Sequence, residues 1–184
     1  WGSSREMFNT ATIQRLADDY AQELNALIEH CCGVEVPQAT PSDFPLARIS
    51  QVQLDELSVA TLKDLYPLSP MQQGMLFHTL YEPQVGAYIS QLRLDIQGLD
   101  PQRFAQAWQT ALERHDILRS RFHWQGLDTA HQAIVRHVAL PLEVLDATDT
   151  DTLADAERAQ GFELGSAPLF RLKLVRMGAN DWHL

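Results

Sequence analysis

The stretch Tyr66-Pro67-Leu68-Ser69-Pro70-Met71-Gln72-Gln73-Gly74-Met75-Leu76-Phe77-His78 decides where the fold of this chain begins. Ser69 suits an N-cap, Pro70 suits the first helical position, and Gln72, three residues after Ser69, completes a capping box. A helix is therefore expected from Pro70 through Met71, Met75, Leu76 and Leu80. Beyond it, Tyr88, Ser90, Leu92, Leu94 and Ile96 alternate with Ile89, Gln91, Arg93, Asp95 and Gln97, which predicts a half-buried strand over 88–97. Gly98 closes that strand and Asp100-Pro101 opens a helix with Phe104, Ala107, Trp108, Ala111, Leu112, His115 and Leu118 on its inner face. Strands follow at Ser120–Trp124, Gln132–Val138 and Leu140–Leu145, then an Asp- and Ala-rich helix over Thr150–Gln160. A strand around Phe170–Val175 comes next, and a last one opens at Asp181-Trp182-His183-Leu184. Helices interleaved with strands predict an α/β (α+β mixed) fold, a mixed sheet flanked by helices.

Upstream the pattern differs. From Gly33 to about Asp64 periodicity dissolves, and Pro37, Pro41 and Pro45 with Thr40, Ser42 and Asp43 read as an extended connector. Only a short helix, Ser50 to Leu57 with Ser50 as its cap, interrupts it. Before the connector, Ile13, Leu16, Ala17, Tyr20, Leu24, Leu27, Ile28 and Cys31 recur at helical spacing, opposite Arg15, Asp18, Asp19, Glu23 and Glu29. This N-terminal amphipathic helix, about Thr12 to Cys32, has no nearby partner in the sequence. Three segments are expected: 1–33, a helix; 34–63, a linker; and 64–184, a folded lobe.

The 184 residues carry 24 acidic and 14 basic side chains, a net charge of −10. Neither half is basic, so neither nucleic acid nor an anionic membrane surface is an expected partner. No apolar run reaches the roughly 18–20 residues that span a bilayer. Cys31 and Cys32 are adjacent and cannot staple a fold, and free thiols suit a reducing cytoplasm. The N-terminus lacks an initiator Met and a signal peptide, and the final strand stops without a terminating signal; the chain is expected to be cut at both ends.

Catalytic motifs are sparse. A glycine-rich phosphate loop, a Gly-x-Ser-x-Gly elbow and a His-Glu-x-x-His pair are all absent from the sequence. Of the seven histidines, only His131 with His137, or His137 with His123, are placed to meet on strands. Neither pair has a Cys or carboxylate at ligand spacing, so no metal site is expected. The cluster Arg114-His115-Asp116-Ile117-Leu118-Arg119-Ser120-Arg121-Phe122 sits at a helix-to-strand junction, where side chains often face a cleft. By spacing alone the plainer reading comes first: solvated Arg114 and Arg121, a locally paired Asp116, and core Leu118 and Phe122.

The two quoted stretches resemble motifs of a known family. Tyr66 to His78 is similar to the opening motif of condensation domains of non-ribosomal peptide synthetases. Arg114 to Phe122 resembles that family's second motif, Arg-His-Glu-x-Leu-Arg-Thr-x-Phe, with Asp116 for Glu and Ser120 for Thr. On this resemblance the motif residues are Ser69, Gln72, Arg114, His115, Leu118 and Phe122. Residues 5–46, with Arg5-Glu6-Met7-Phe8, Leu27-Ile28-Glu29-His30-Cys31 and Pro41-Ser42-Asp43-Phe44-Pro45-Leu46, resemble the C-terminal end of a preceding epimerisation or condensation domain and its linker.

The resemblance implies a chloramphenicol-acetyltransferase-like fold of two lobes forming a V, with 64–184 as a truncated N-terminal lobe. It implies amide-bond formation between a donor thioester and an aminoacyl acceptor, both held on phosphopantetheine of peptidyl carrier domains. No cofactor is expected on this chain itself, and an adenylation domain of the same megasynthetase is an expected partner. In the family a His-His-x-x-x-Asp-Gly motif does the chemistry. It is not in this sequence, so no catalytic residue is expected here. His183 lacks a neighbouring His and reads as a strand residue. The Arg matching Arg119 pairs, in the family, with the Asp of that motif and supports the catalytic loop. Arg119 is therefore expected to stand unpaired here, and the isolated chain to be inactive and marginally stable. Two alternatives stay open: a stand-alone acyltransferase of the same fold, and a non-catalytic docking module.

Overall fold

The computed structural model describes residues 8–33, 39–57, 59–81, 88–146 and 149–184. Arg5–Met7, Pro37 and the start of the expected linker lie outside the described residues. The chain forms two compact units, Trp1–Gln38 and Ala39–Leu184. In the first, α1 spans Thr10–Gly33 and buries none of its residues. Its expected apolar stripe is exposed, with Leu16, Tyr20, Leu24, Leu27 and Ile28 all open to solvent.

The second unit holds four helices and seven strands among the described residues: α2 (Gln51–Asp55), β1 (Leu62–Pro67), α3 (Pro70–Tyr81), β2 (Asp95–Gln97), α4 (Pro101–Arg114), β3 (Ser120–His123), β4 (His131–Val135), β5 (Leu142–Asp146), α5 (Thr150–Gln160), β6 (Leu172–Arg176) and β7 (Asp181–His183). The strands divide between two sheets. One is antiparallel throughout, in the order β1-β4-β3; the other, β2-β7-β6-β5, is mixed, because β5 and β6 run parallel.

Residues 39–61 are not a free connector. Phe44, Ala47, Ile49 and Leu54 are buried in one cluster with Leu62 and Leu65 of β1 and Ala133 and Val135 of β4. Local capping makes this packing possible. The Thr40 N–H donates to Asp43 Oδ2 (2.7 Å), and Ser50 and Gln53 exchange bonds that close a capping box on α2. His131, 1% exposed, holds the layer to the sheet: its Nε2 lies 2.7 Å from the Ala47 carbonyl oxygen and its Nδ1 2.7 Å from that of Thr129. Pro41 and Pro45 mark irregular backbone whose surface residues are exposed while Phe44, Ala47 and Ile49 turn inward.

Three further expectations need correction. The ten-residue strand over 88–97 shrinks to Asp95–Gln97, flanked by Leu94, which exchanges both backbone bonds with Leu184. Alternation reports which side chains share a face and is silent about a ladder partner. The helix expected to reach Leu118 stops at Arg114, because His115 turns extended (φ −111°, ψ 100°), and a 3-10 turn, Asp116–Arg119, follows. His115 and Ala107 are exposed and do not lie on an inner face. The strands expected over 132–138 and 140–145 are shifted to 131–135 and 142–146. The Thr150–Gln160 helix occurs at those residues, capped by Asp149, whose Oδ1 accepts from Asp151 and Thr152 N–H. Gly98 ends β2 at φ +68°, a conformation that suits glycine.

Candidate functional site

Of the expected site residues, Arg119, Ser69, Gln72 and Phe122 gather around β4, the central strand of the antiparallel sheet. Arg119 lies where α4, the 3-10 turn and β4 meet, and its side chain is 4% exposed. Its Nε donates to Val135 O (3.0 Å), its Nη1 to Leu112 O and to Glu113 O (2.9 Å), and its Nη2 to Asp116 Oδ1 (2.6 Å). Leu112 and Glu113 belong to the last turn of α4, whose carbonyls lack helical partners. One guanidinium thus closes a helix end, fixes it to a strand and meets a carboxylate. Arg is suited to this because its fork presents five fixed donors.

Arg119 is therefore not unpaired, contrary to the expectation from sequence. The 3-10 turn places Asp116 three residues before it, within hydrogen-bond reach, and the buried cation acquires a local counter-charge. Asp116 is also held by Lys63 Nζ, at 2.8 Å and 2.6 Å from its two oxygens. The Lys63 hydrogen bond and, after it, the Arg119 bond hold the Asp116 carboxyl below its ordinary pKa. Asp116 is thus shared by two cations, and backbone carbonyls take the other donors of Arg119.

The first motif reaches the same strand. Ser69 N–H donates to Gln72 Oε1 (2.9 Å) and Gln72 N–H to Ser69 Oγ (3.3 Å), the reciprocal pair of a capping box. Gln72 Nε2 then donates to Oε1 of Gln132 (2.8 Å), a β4 residue 2% exposed. In register, Gln132 faces Tyr66 on one side and Phe122 on the other. Tyr66, Ser69, Gln72 and Phe122 are thus tied through Gln132. The Tyr66 hydroxyl is pushed up by burial and by the nearby Asp64 and Asp116 carboxylates. Arg114 and His115 are exposed and join neither node, while Leu118 is half-buried, its N–H donating to His115 O (3.1 Å).

Sequence reasoning missed Lys63, Gln132 and Val135. Lys63 lies in the expected linker, Gln132 reads as an ordinary strand residue, and the carbonyl of Val135 leaves no trace in a side-chain pattern. It also mispaired the histidines: β3 and β4 set His123 opposite His131, and His137 lies beyond the end of β4. Burial, then Arg121 and His131, lowers the His123 pKa. Among the described residues no His, Cys, Asp or Glu group has the makings of a metal site. A shallow apolar depression of about 320 Å³ between α3 and residues 128–130 contains a single ionisable group, Asp128, and no nucleophile–base pair.

The arrangement is a frame rather than a reaction centre. The condensation domain family matches over residues 62–184, which includes both motifs and the nodes built on them. The chain belongs to the condensation domain family. It is 41% identical over 194 residues to one component protein of the linear gramicidin synthase of Brevibacillus parabrevis, and 39% identical over 193 residues to another component of the same synthase. Each comparison covers 99% of this chain, which spans only 2% and 4% of those two relatives. The condensation domain from the monacolin K polyketide synthase MokA has the same fold over 67% of this chain and 29% of its own (TM-score 0.60, 17% identity). The holo form of a four-domain nonribosomal peptide synthetase superimposes over 66% of this chain and 10% of its own (TM-score 0.59, 19% identity). The expected fold class, mixed α/β of the chloramphenicol-acetyltransferase type, is that of these condensation domains.

Proposed function

We propose that this chain is part of a condensation domain of a non-ribosomal peptide synthetase and serves amide-bond formation. The observation that carries this reading is the 41% identity to a component of a gramicidin synthase, sustained over 99% of the chain. The donor is a peptidyl or aminoacyl thioester on the phosphopantetheine of an upstream carrier domain; the acceptor is an aminoacyl amine on a downstream one. The amine attacks the thioester carbonyl, the carrier thiol leaves, and the amine gives up a proton. Holding two tethered reactants in a near-attack pose removes roughly 7–11 kcal/mol of barrier at best. The residues of this chain supply rigidity for that alignment.

Arg119 is the site's structural support, fixing α4 and the Asp116 turn to β4. Ser69, Gln72 and Phe122 lock the opening helix and β3 to the same strand through Gln132. Arg114, His115 and Leu118 complete the second motif around the turn. The phosphopantetheine arms and an adenylation domain belong to the same cytoplasmic megasynthetase. Residues 1–33 are the terminal helix of a preceding epimerisation or condensation domain, and the linker read over 34–63 both follows it and, from Ala39 on, packs as part of the domain that follows. The exposed stripe of α1 supports that reading, since such a face packs against something outside the helix.

The test is a condensation assay with donor and acceptor loaded on carrier domains. The gene product extended through the whole condensation domain yields the amide, and the 184 residues alone yield none. Turnover by the 184 residues, or transfer from a free acyl thioester without any carrier domain, would overturn the proposal in favour of a stand-alone acyltransferase.

A further inference from the structure

One residue of β1 stands outside the regular ladder. Leu62 faces Val135 and Asp64 faces Ile134, so two adjacent positions of β4 are met by Leu62 and Asp64 while Lys63 is extra, a β-bulge. The core explains it. In a regular strand Leu62 and Leu65, three residues apart, would point to opposite faces. Here both are wholly buried in the cluster of Phe44, Ala47, Ile49 and Leu54, because they face Val135 and Ala133 on one side of β4. The backbone is pinned beyond the bulge as well, where Arg136 N–H donates to Thr61 O (2.8 Å).

The bulge re-aims the Lys63 side chain towards the second motif. Its Nζ lies 2.8 Å and 2.6 Å from the two carboxylate oxygens of Asp116, the first residue of the 3-10 turn that ends at Arg119. The carboxylate next in sequence to Lys63, that of Asp64, accepts from Leu65 N–H (2.8 Å). Asp116 in turn meets Arg119 Nη2 (2.6 Å); Lys63 and Asp116 are partly exposed, whereas Arg119 is buried. Lys63 is the outer of the two cations that share this carboxylate, and it fixes the position from which Asp116 holds the guanidinium.

We propose that Lys63 is a positioning residue for amide-bond formation: from the bulge in β1 it holds the Asp116 carboxylate, and through it the Arg119 guanidinium, in place. The proposal rests on the reading above, in which Arg119 supports the site. One bulge sets both the packing of β1 against the core and the reach of Lys63, so the two motifs are tied by charge as well as through Gln132. Without Lys63 the link from β1 to the Asp116 carboxylate is lost, and the turn is free to shift.

The test measures amide formation by the full-length protein with donor and acceptor loaded on their carrier domains. Lys63→Met should lower kcat by roughly tenfold or more with KM for both carriers unchanged, since a misplacement of about 1 Å costs up to roughly 100-fold. Circular dichroism should show the same folded fraction as the unsubstituted protein. Lys63→Arg should restore most of the rate, because it keeps the charge. In an Asp116→Asn background the Lys63→Met change should have no further effect. The acid limb of the kcat profile should move to higher pH in Lys63→Met, because the Lys63 hydrogen bond is the largest influence holding the Asp116 carboxyl low. An unchanged kcat, a loss confined to KM, a loss matched by unfolding, an unmoved acid limb or the same loss in both backgrounds would overturn the proposal and leave amide formation by the protein intact. An unsubstituted protein that forms no amide would overturn the functional reading and this proposal with it.

Discussion

Arg119 shows how one residue's role depends on neighbours the motif does not specify. Its charge is buried, so the bonds to Val135, Leu112, Glu113 and Asp116 offset a desolvation cost that would otherwise dominate. Arg119→Ala is expected to cost about 1–3 kcal/mol of unfolding free energy, measured by urea titration, because it leaves the Val135, Leu112 and Glu113 carbonyls without their donor, while Asp116 keeps Lys63. Arg119→Lys should fall between, keeping the charge and losing the fork. Asp116 gives a pH signature. Its folded pKa lies below the ordinary 3.8, so its contribution is fully present above that value and is lost as pH falls below it. The stability gap between wild type and Asp116→Asn should therefore be largest near neutrality and close in acid. A gap independent of pH would show that the Lys63–Asp116–Arg119 contact is not electrostatic. The sequence placed Arg119 in a supporting role and left a local partner for Asp116 as one option. It could not supply Lys63, because a separation of 53 residues carries no local signal.

At the scale of elements, capping was legible and pairing was not. Ser69 with Gln72, Ser50 and Asp100 all cap the helices their spacing announces, because these bonds close within four residues. Ser69→Ala should cost about 1 kcal/mol in thermal or urea unfolding. Gln72→Ala should cost more, about 1–3 kcal/mol, since it also leaves the buried Oε1 of Gln132 without a donor. Replacing Gln72 and Gln132 together with Leu should restore much of that loss; equal and additive losses would argue against the contact. The 88–97 stretch shows the converse. Its alternation separates two faces but not which one is inside: Gln91 and Arg93 meet α5, the apolar Tyr88, Leu92 and Leu94 are exposed rather than half-buried, and only three residues join a ladder.

For the whole molecule, the family match begins at residue 62, close to the boundary read at 64, whereas the compact unit begins at Ala39. The difference has a consequence for any shortened protein. Removing residues 1–38 should leave the melting transition of the second unit unchanged, since that unit is compact without them. Removing residues 1–61 should expose Leu62, Leu65, Ala133 and Val135 and yield an aggregating product, read by light scattering and loss of a cooperative melt. Equal stability of the two shortened chains would show that residues 39–61 contribute nothing to the core. The sequence by itself determined the family and the helix starts, because those properties follow from residue type and spacing along a few turns of chain. Only the tertiary structure decided that Lys63 shares the Asp116 carboxylate with Arg119, that Gln132 joins the two motifs and that Phe44, Ala47, Ile49 and Leu54 are core. Those contacts join groups far apart in the chain or fall on backbone carbonyls, whose availability depends on how the chain is folded.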